Sequence, residues 1–414
     1  MQNNNILIMG ASLNSGNRGV NALTRGAING LTLQKEDVSI KLLSFSTRKV
    51  INHEVDGNKI EEIPFRFLKS LPLAFLTFIP FFPKGLFRRL VRIYFPKLWE
   101  ILEWADIVLD ISEGDSFSDI YGFKRMLMHS SYKLISSSYG KKIILLPQTI
   151  GPFSRNSSKL IARKIFKLSN KVLARDKLSY NLLKSKFNIN EDKIGVFPDL
   201  AFNMNPSQEF RADSLIFSNK NEIIGINVSG LLYNGGYSKN NMFGFRSDYK
   251  ELLQEIIEYL IENTEYNILL VPHVITSRGD VEDDITACQN IYALFSQYKN
   301  RINIIDQEYR EDELKYIISC CKLFVGGRMH ACIAAISTNV ITIPIAYSRK
   351  FIGVWELFGL ENMVADPRIQ TKTEIIKIVD ESIKNSNNIL KIIKDKNREF
   401  KNQLSDLFGK LLIK

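Results

Sequence analysis

The order of the apolar runs limits the possible folds more than any other feature of this chain. Short runs rich in Ile, Leu and Val alternate with segments of helical spacing. NILIMG, ending at Gly10, reads as a first parallel strand, GVNALTRGAINGL as a helix and VSIKLLSF as a second strand. ADIVLDIS is a strand that runs into a loop, and a helix follows from about Phe123 to Tyr139. KKIILLPQTIGP, the amphipathic SKLIARKIFKLS and the strand KVLARD continue the pattern. This is βαβ order, which implies a parallel sheet covered by helices on both faces.

The alternation pauses over residues 199–221, which are polar, contain Pro206 and lack periodicity. It then resumes with EIIGINVS, the helix YKELLQEIIEYLIEN, YNILLVPHV, a helix around ITACQNIYALFSQY, and INIID. The helix DELKYIISC, the strand KLFVG, the helix RMHACIAAIS and the strand VITIPIAY complete this half. A chain of 414 residues exceeds one ordinary core. The expected class is therefore α/β, with two Rossmann-like domains facing a cleft. The expected boundaries are 1–205, 206–370 and a Lys- and Glu-rich helical tail over 371–414 that packs back on the domains. Ligands of open parallel sheets bind beyond the carboxyl ends of the strands, so the loops there are where chemistry is to be sought.

Charge narrows the partners. Lys and Arg total 55 against 44 Asp and Glu, a formal net charge of +11. Such an excess suits phosphorylated ligands, an anionic membrane surface or nucleic acid. The basic residues are dispersed and no zinc-finger or RNA-binding signature accompanies them, so nucleic acid is not expected. Cys288, Cys320, Cys321 and Cys332 form no CxxC pair and read as core residues of a reducing compartment. The four histidines show no HxxH or HExxH spacing, so no metal site is expected. MQNNNILIM has neither a basic start nor a long apolar core, which points to a cytoplasmic chain without a secretory leader.

The segment from Phe65 to Lys97 mixes apolar runs with Lys69, Lys84, Arg88, Arg89, Arg92 and Lys97. It is too short and too rich in proline to span a bilayer. It reads either as a helical hairpin buried on the N-terminal domain or as a peripheral dock on the inner leaflet of the membrane.

The strongest local signal is GGRMHACIAAISTNVITIPIAYSRK, residues 326–350. A strand ends at Gly326-Gly327 and a helix opens at about Arg328, which presents unpaired backbone N–H groups and a positive dipole end. That is an anion site in outline. Arg328 and His330 lie in this turn, and Lys350 is expected in the loop after the next strand. Arg175 closes the strand KVLARD and could fork onto a carboxylate or phosphate. Asp176 with Ser179 resembles a helix N-cap. Gln148 sits at a strand end before the Gly151-Pro152 turn. Glu113 and Asp115 occupy a hydroxyl-rich loop, DISEGDSFSD, suited to sugar hydroxyls. Asn17 falls in ASLNSGNRGVNAL, a tight strand-to-helix turn that is neither Walker A nor GxGxxG.

Taken together, LPQTIGPF, ARDKLS, PDLAF and above all GGRMHACIAAISTNVITIPIAYSRKFIGVWELFGL resemble the polysaccharide pyruvyl transferase family. The likeness runs from the first strand to about Leu360. It implies the glycosyltransferase B fold and transfer of a pyruvyl group from phosphoenolpyruvate to a sugar or lipid-linked oligosaccharide acceptor, forming a pyruvate ketal. It implies phosphoenolpyruvate as donor substrate and no other cofactor. The donor would lie on the 206–370 side, bound by Arg175, Arg328 and Lys350, with His330 as the proton donor. The acceptor would lie on the 1–205 side, near Asn17, Glu113, Asp115 and Gln148. Two loops depart from the family: Ser112-Glu113-Gly114-Asp115 stands where glycines are common, and NSGNRG replaces an Asn-x-Gly-Asp pattern. Two other readings compete. One is a nucleotide-sugar glycosyltransferase with Glu356 on the ribose; the other is a non-catalytic, anion-binding regulator.

Overall fold

The computed structural model describes residues 4–35, 37–211 and 221–412. Its strands are β1 (Asn4–Met9), β2 (Val38–Ser44), β3 (Ile51–Val55), β4 (Asn58–Pro64), β5 (Ile107–Asp110), β6 (Lys142–Gln148), β7 (Lys171–Ala174) and β8 (Ile194–Val196), then β9 (Ile223–Asn227), β10 (Asn267–Leu270), β11 (Ile302–Ile304), β12 (Leu323–Gly326) and β13 (Ile341–Pro344). Its helices are α1 (Arg18–Thr32), α2 (Phe67–Leu76), α3 (Lys84–Tyr94), α4 (Pro96–Trp104), α5 (Phe123–Tyr139), α6 (Asn156–Leu168) and α7 (Lys177–Asn181). There follow α8 (Gly230–Tyr233), α9 (Tyr249–Asn263), α10 (Asp284–Leu294), α11 (Glu311–Ser319), α12 (Met329–Ile336), α13 (Arg349–Phe358), α14 (Lys372–Lys384) and α15 (Ser386–Leu412).

The chain divides into two compact units. The first is Met1–Ser15, Leu23–Asn203 and Gln403–Lys414; the second is Gly16–Ala22 and Met204–Asn402. Part of the segment read from sequence as the interdomain pause, residues 212–220, lies outside the described residues. The first unit holds an eight-stranded sheet in the order β3-β4-β2-β1-β5-β6-β7-β8. All its pairings are parallel except β3 with β4. The second holds a parallel five-stranded sheet, β11-β10-β9-β12-β13. Strands β9, β10, β12 and β13 are almost wholly buried, as expected of strands covered on both faces.

Local chemistry sets the helix ends. Asp176 accepts the N–H of Ser179 at 2.7 Å and caps α7, as the sequence suggested. Thr371 and Glu374 form a reciprocal capping box on α14. Gly140 and Gly359 close α5 and α13 in the left-handed region, where a side chain would be strained. The expected tail is α14 and α15. Tyr259 donates to Asp380 and Asn397 to the Ile336 carbonyl in the second unit. The last turns of α15 join the first unit, with Phe408 against Gly30 and Ser405 bonded to Gln34.

One contact in the first unit yields a sign-reversing test. A methyl group on Gly26 of α1 would lie 2.0 Å from the Leu200 carbonyl oxygen, whereas around Gly85 of α3 there is open space. Alanine normally stabilises a helix interior over glycine by ~1 kcal/mol. Gly26→Ala should instead cost ~1–3 kcal/mol through overpacking, read as a lower urea midpoint, while Gly85→Ala leaves the midpoint equal or higher.

Candidate active site

The first unit gathers its polar groups where β1, β5, β6 and β7 end. Asp110, the last residue of β5, has no exposed surface, and Lys133 of α5 reaches it at 3.0 Å with its own side chain fully buried. Tyr132 donates to Asp110 Oδ1 at 2.6 Å and Ser112 to Oδ2 at 2.9 Å. Lys133 also donates to Ser112 Oγ and to the His129 carbonyl. Burial pulls the Lys133 pKa down to about 8 against the opposing pull of Asp110 and Glu113. The ammonium form still prevails at neutral pH.

The loop that follows is wound tightly. Ser112, Glu113 and Gly114 have φ of 44°, 51° and 91°. Consecutive left-handed non-glycine residues are rare, and each costs on the order of 1–3 kcal/mol. The conformation is held by its side chains. Glu113 accepts from Arg125 Nη2 at 2.5 Å and from Ser116 Oγ at 3.3 Å, with His129 Nε2 3.4 Å away. Burial raises the Glu113 pKa, but the contact with His129 and the charge of Arg125 outweigh it and bring it to about 2. Burial drives down the pKa of His129, against the opposing pull of Glu113. Gly10 is required because a Cβ there would meet Tyr132 Oη at 2.6 Å and the Ser112 nitrogen at 2.8 Å. Asp115 accepts from Tyr121 at 2.8 Å. Glu113 and Asp115 thus sit half-buried in one loop.

Two of the expected ligands in this unit are internal supports. Gln148 is fully buried, and its amide donates to the Asp110 carbonyl and Oδ2 at 3.1 and 3.0 Å. Arg175 is also buried; its Nη1 donates to Asp199 at 2.6 Å and its Nε to Thr149 at 2.9 Å. Burial opposes the Arg175 charge, but Asp199 and Asp115 more than restore it. The guanidinium is thus engaged by Asp199 and the Thr149 hydroxyl inside the unit.

The second unit gathers its groups where β9, β10, β12 and β13 end. Asn227 accepts the N–H of Arg328 at 2.8 Å and donates to the Val271 carbonyl at 2.9 Å. Asp284 accepts the backbone N–H groups of Gly230, His273 and Val274 at 2.7, 3.0 and 2.9 Å. Arg328 caps the start of α12 and turns back onto the same carboxylate, Nη2 and Nε at 2.8 and 3.1 Å from Oδ1. Its side chain is only 9% exposed. The open cation expected from sequence is therefore a buried, ion-paired one, because the Asp284 carboxylate at the head of α10 claims its fork. Gly327 is needed because a Cβ would press on Tyr249 Oη at 2.6 Å.

His330 and Lys350 differ, being half-buried in the opening turns of α12 and α13. These helices follow β12 and β13, which pair in parallel through Gly326 and Pro344. Lys350 is thus helical, not in a loop as expected, and lies over the Tyr347 ring at 5.0 Å. Asn17 and its neighbours also belong to this unit. Asn17 bridges to Val274 and caps the N–H of Gly19 at 3.0 Å. A Cβ on Gly19 would lie 2.4 Å from His330 Nδ1, so this glycine lets the α1 backbone lie against the imidazole. Arg18 was not singled out by sequence. Its N–H donates to the His273 carbonyl at 3.3 Å. Burial lowers the His273 pKa, and the charges of His330, Arg328 and Arg18 lower it further. Two imidazoles and two guanidiniums therefore share one electrostatic neighbourhood.

With these sites in view, the comparisons with known proteins take on meaning. Residues 42–349 match the polysaccharide pyruvyl transferase profile, and the chain belongs to that family. The amylovoran biosynthesis protein AmsJ of Erwinia amylovora is 22% identical over 367 residues, covering 85% of each chain. Two solved structures share the fold with a TM-score of 0.58: UDP-GlcNAc 2-epimerase of Neisseria meningitidis bound to UDP-GlcNAc, 12% identical over 99% of both chains, and MnaA of S. aureus with UDP, 10% identical over 98% of this chain and 94% of that one. Sucrose-phosphate synthase of Thermosynechococcus elongatus aligns with a TM-score of 0.54 at 12% identity over 99% and 98% of the two chains. The protein is thus a transferase enzyme of polysaccharide modification, built on the two Rossmann-like units of the glycosyltransferase B fold.

Two predictions follow from this geometry. Glu113 has a folded pKa below its ordinary 4.5, so its contribution is full above that pH and fades as pH falls toward about 2. The urea-midpoint gap between wild type and Glu113→Gln should narrow between about pH 5 and 2; parallel curves would refute the assignment. Arg328→Ala strands the buried Asp284 carboxylate and should cost about 3–5 kcal/mol of stability. Circular dichroism melts should show this loss with no ligand present.

Proposed function

We propose that this transferase moves a pyruvyl group from phosphoenolpyruvate to two hydroxyls of a sugar in a polysaccharide precursor, forming a pyruvate ketal. The observation that carries this reading is the placement of His330 and Lys350 in the first turns of two helices that follow adjacent parallel strands. Each turn directs N–H groups and a positive dipole end toward an anion. Lys350 and Arg18 add charge, and Asn17 and Gly19 set one wall of the His330 pocket.

The chemistry suits these groups. His330 in its imidazolium form protonates the methylene carbon of the enol. The cationic character that develops at the adjacent carbon is taken up by one sugar hydroxyl, whose proton restores His330. The second hydroxyl then displaces phosphate, which leaves with the remaining proton. Phosphate and carboxylate of the donor, held beside Lys350, stabilise the intermediate charge. Arg328 takes no direct part in this account; paired with Asp284, it fixes the start of α12 and so the position of His330. On the acceptor side, Glu113 and Asp115 offer carboxylates to sugar hydroxyls, and Arg175 and Gln148 hold their loops in place.

Release of inorganic phosphate from phosphoenolpyruvate across a panel of acceptor sugars tests the reading directly. His330→Ala should lower turnover by roughly 10²–10⁴-fold while leaving donor affinity within a few fold. Lys350→Ala should show the reverse, with weaker donor binding. Phosphoenolpyruvate should also raise the melting temperature by mass action. A larger rise with UDP-N-acetylglucosamine would overturn the donor assignment in favour of a nucleotide sugar.

A further inference from the structure

Helices α2 and α3 both pack on α5. Helix α2 buries Phe67, Ser70, Leu73 and Ala74. An ordinary surface helix would place polar residues opposite that stripe. Here the opposite face carries Leu68, Leu71, Pro72 and Phe75, spaced i, i+3, i+4 and i+7. Leu68 is 70% exposed and Phe75 60%. The helix therefore exposes a row of apolar residues at the surface, with Lys69 its one charged residue.

The same character continues through the turn into α3. Ile79 is 50% exposed and the Phe81 ring is entirely so. The turn is ordered by backbone bonds from Phe78, Ile79 and Phe82 to Phe75, Leu76 and Ile79. In α3, Phe87 and Val91 are buried, while Leu86, Arg89 and Ile93 share an outer face at i, i+3 and i+7. A contiguous exposed apolar surface of this kind marks an interaction site.

Charge identifies the occupant. Between Ile63 and Trp99 the chain has seven Lys or Arg residues, from Arg66 to Lys97, and no Asp or Glu. All seven are exposed. A second copy of the chain would bring two such cationic faces together, which like-charge repulsion opposes. An anionic bilayer answers both features, taking apolar side chains into the acyl boundary and basic groups at the headgroups. No helix among the described residues is long and apolar enough to cross a membrane, so the contact lies in the plane of the surface. We infer that α2, α3 and the turn between them dock this protein on an anionic phospholipid bilayer, with Phe75, Ile79 and Phe81 inserted and Lys84 and Arg89 at the headgroups.

The inference stands apart from the donor assignment and is tested without turnover. The full chain is co-sedimented with phosphatidylcholine vesicles with and without phosphatidylglycerol, at low and high salt. Binding should require phosphatidylglycerol and weaken with salt. Lys84→Gln and Arg89→Gln should each lower the partition coefficient roughly fivefold. Phe75→Ser combined with Phe81→Asn should lower it at least about tenfold. Asparagine tolerates the left-handed φ of 57° at position 81, and both side chains are exposed, so the fold should survive as judged by circular dichroism. Failure to bind phosphatidylglycerol vesicles at low salt overturns the inference. So does a dimer in sedimentation velocity that the same double variant dissolves, since the face would then be a self-association surface.

Discussion

Asp284 is shut away from water, and its two oxygens take the N–H groups of Gly230, His273 and Val274 together with the fork of Arg328. Burying a carboxylate and a guanidinium costs several kcal/mol per ion, which is recovered only when every lone pair and proton is satisfied. Here they are satisfied by backbone N–H groups at the start of α8 and in the segment after β10, and by the side-chain fork of the residue that opens α12. The ion pair therefore ties these chain segments to one point. His330 stands two residues beyond Arg328, and its position is only as exact as that tie. A helix start held in this way is fixed in place before any ligand arrives.

The first unit repeats the device with different residues. Asp110 ends β5 and is satisfied by Lys133, Tyr132, Ser112 and Gln148. Above it, the backbone passes through three successive left-handed residues, of which only Gly114 accepts that conformation without strain. These dihedrals are ones that glycine adopts most readily. In this chain Ser112 and Glu113 take up the strained geometry and compensate with bonds to Asp110, Arg125 and Ser116. The consequence is a carboxylate, only 11% exposed, held within the loop by Arg125 and Ser116.

How much of this the sequence disclosed depends on range. The βαβ order and helices such as α5 and α9 were legible because apolar periodicity and caps are local signals. The β3–β4 hairpin went unread, although its turn is Asp56-Gly57 with φ of 49° and 79°, a recognised two-residue hairpin signal. Its strands carry Asn, His, Glu and Lys, which hid the alternation. Strand β8 has three residues, too few for any period to show. The cations of the site were visible as residue types, but their counter-ions were not. Asp199 lies 24 positions from Arg175, and Asp284 lies 44 from Arg328. In sequence, Asp284 belongs to an acidic run that reads as a solvated helix start.

Magnitudes then decide which cations an incoming anion can use. Taking Arg328 away from Asp284 would leave a buried carboxylate uncompensated, at a cost of about 3–5 kcal/mol. Few contacts with a small ligand would offset that, so Arg328 stays where it is. Arg18 is held by Glu308 at 3.5 Å, and the Glu308 side chain is 71% exposed. The Arg18 side chain is itself only 15% exposed, so the pair lies between a surface pair and a buried one. Lys350, half-buried, holds its ammonium over the Tyr347 ring at 5.0 Å. A residue that stands out in sequence can thus be the one most firmly held by its partners, as Arg328 is by Asp284.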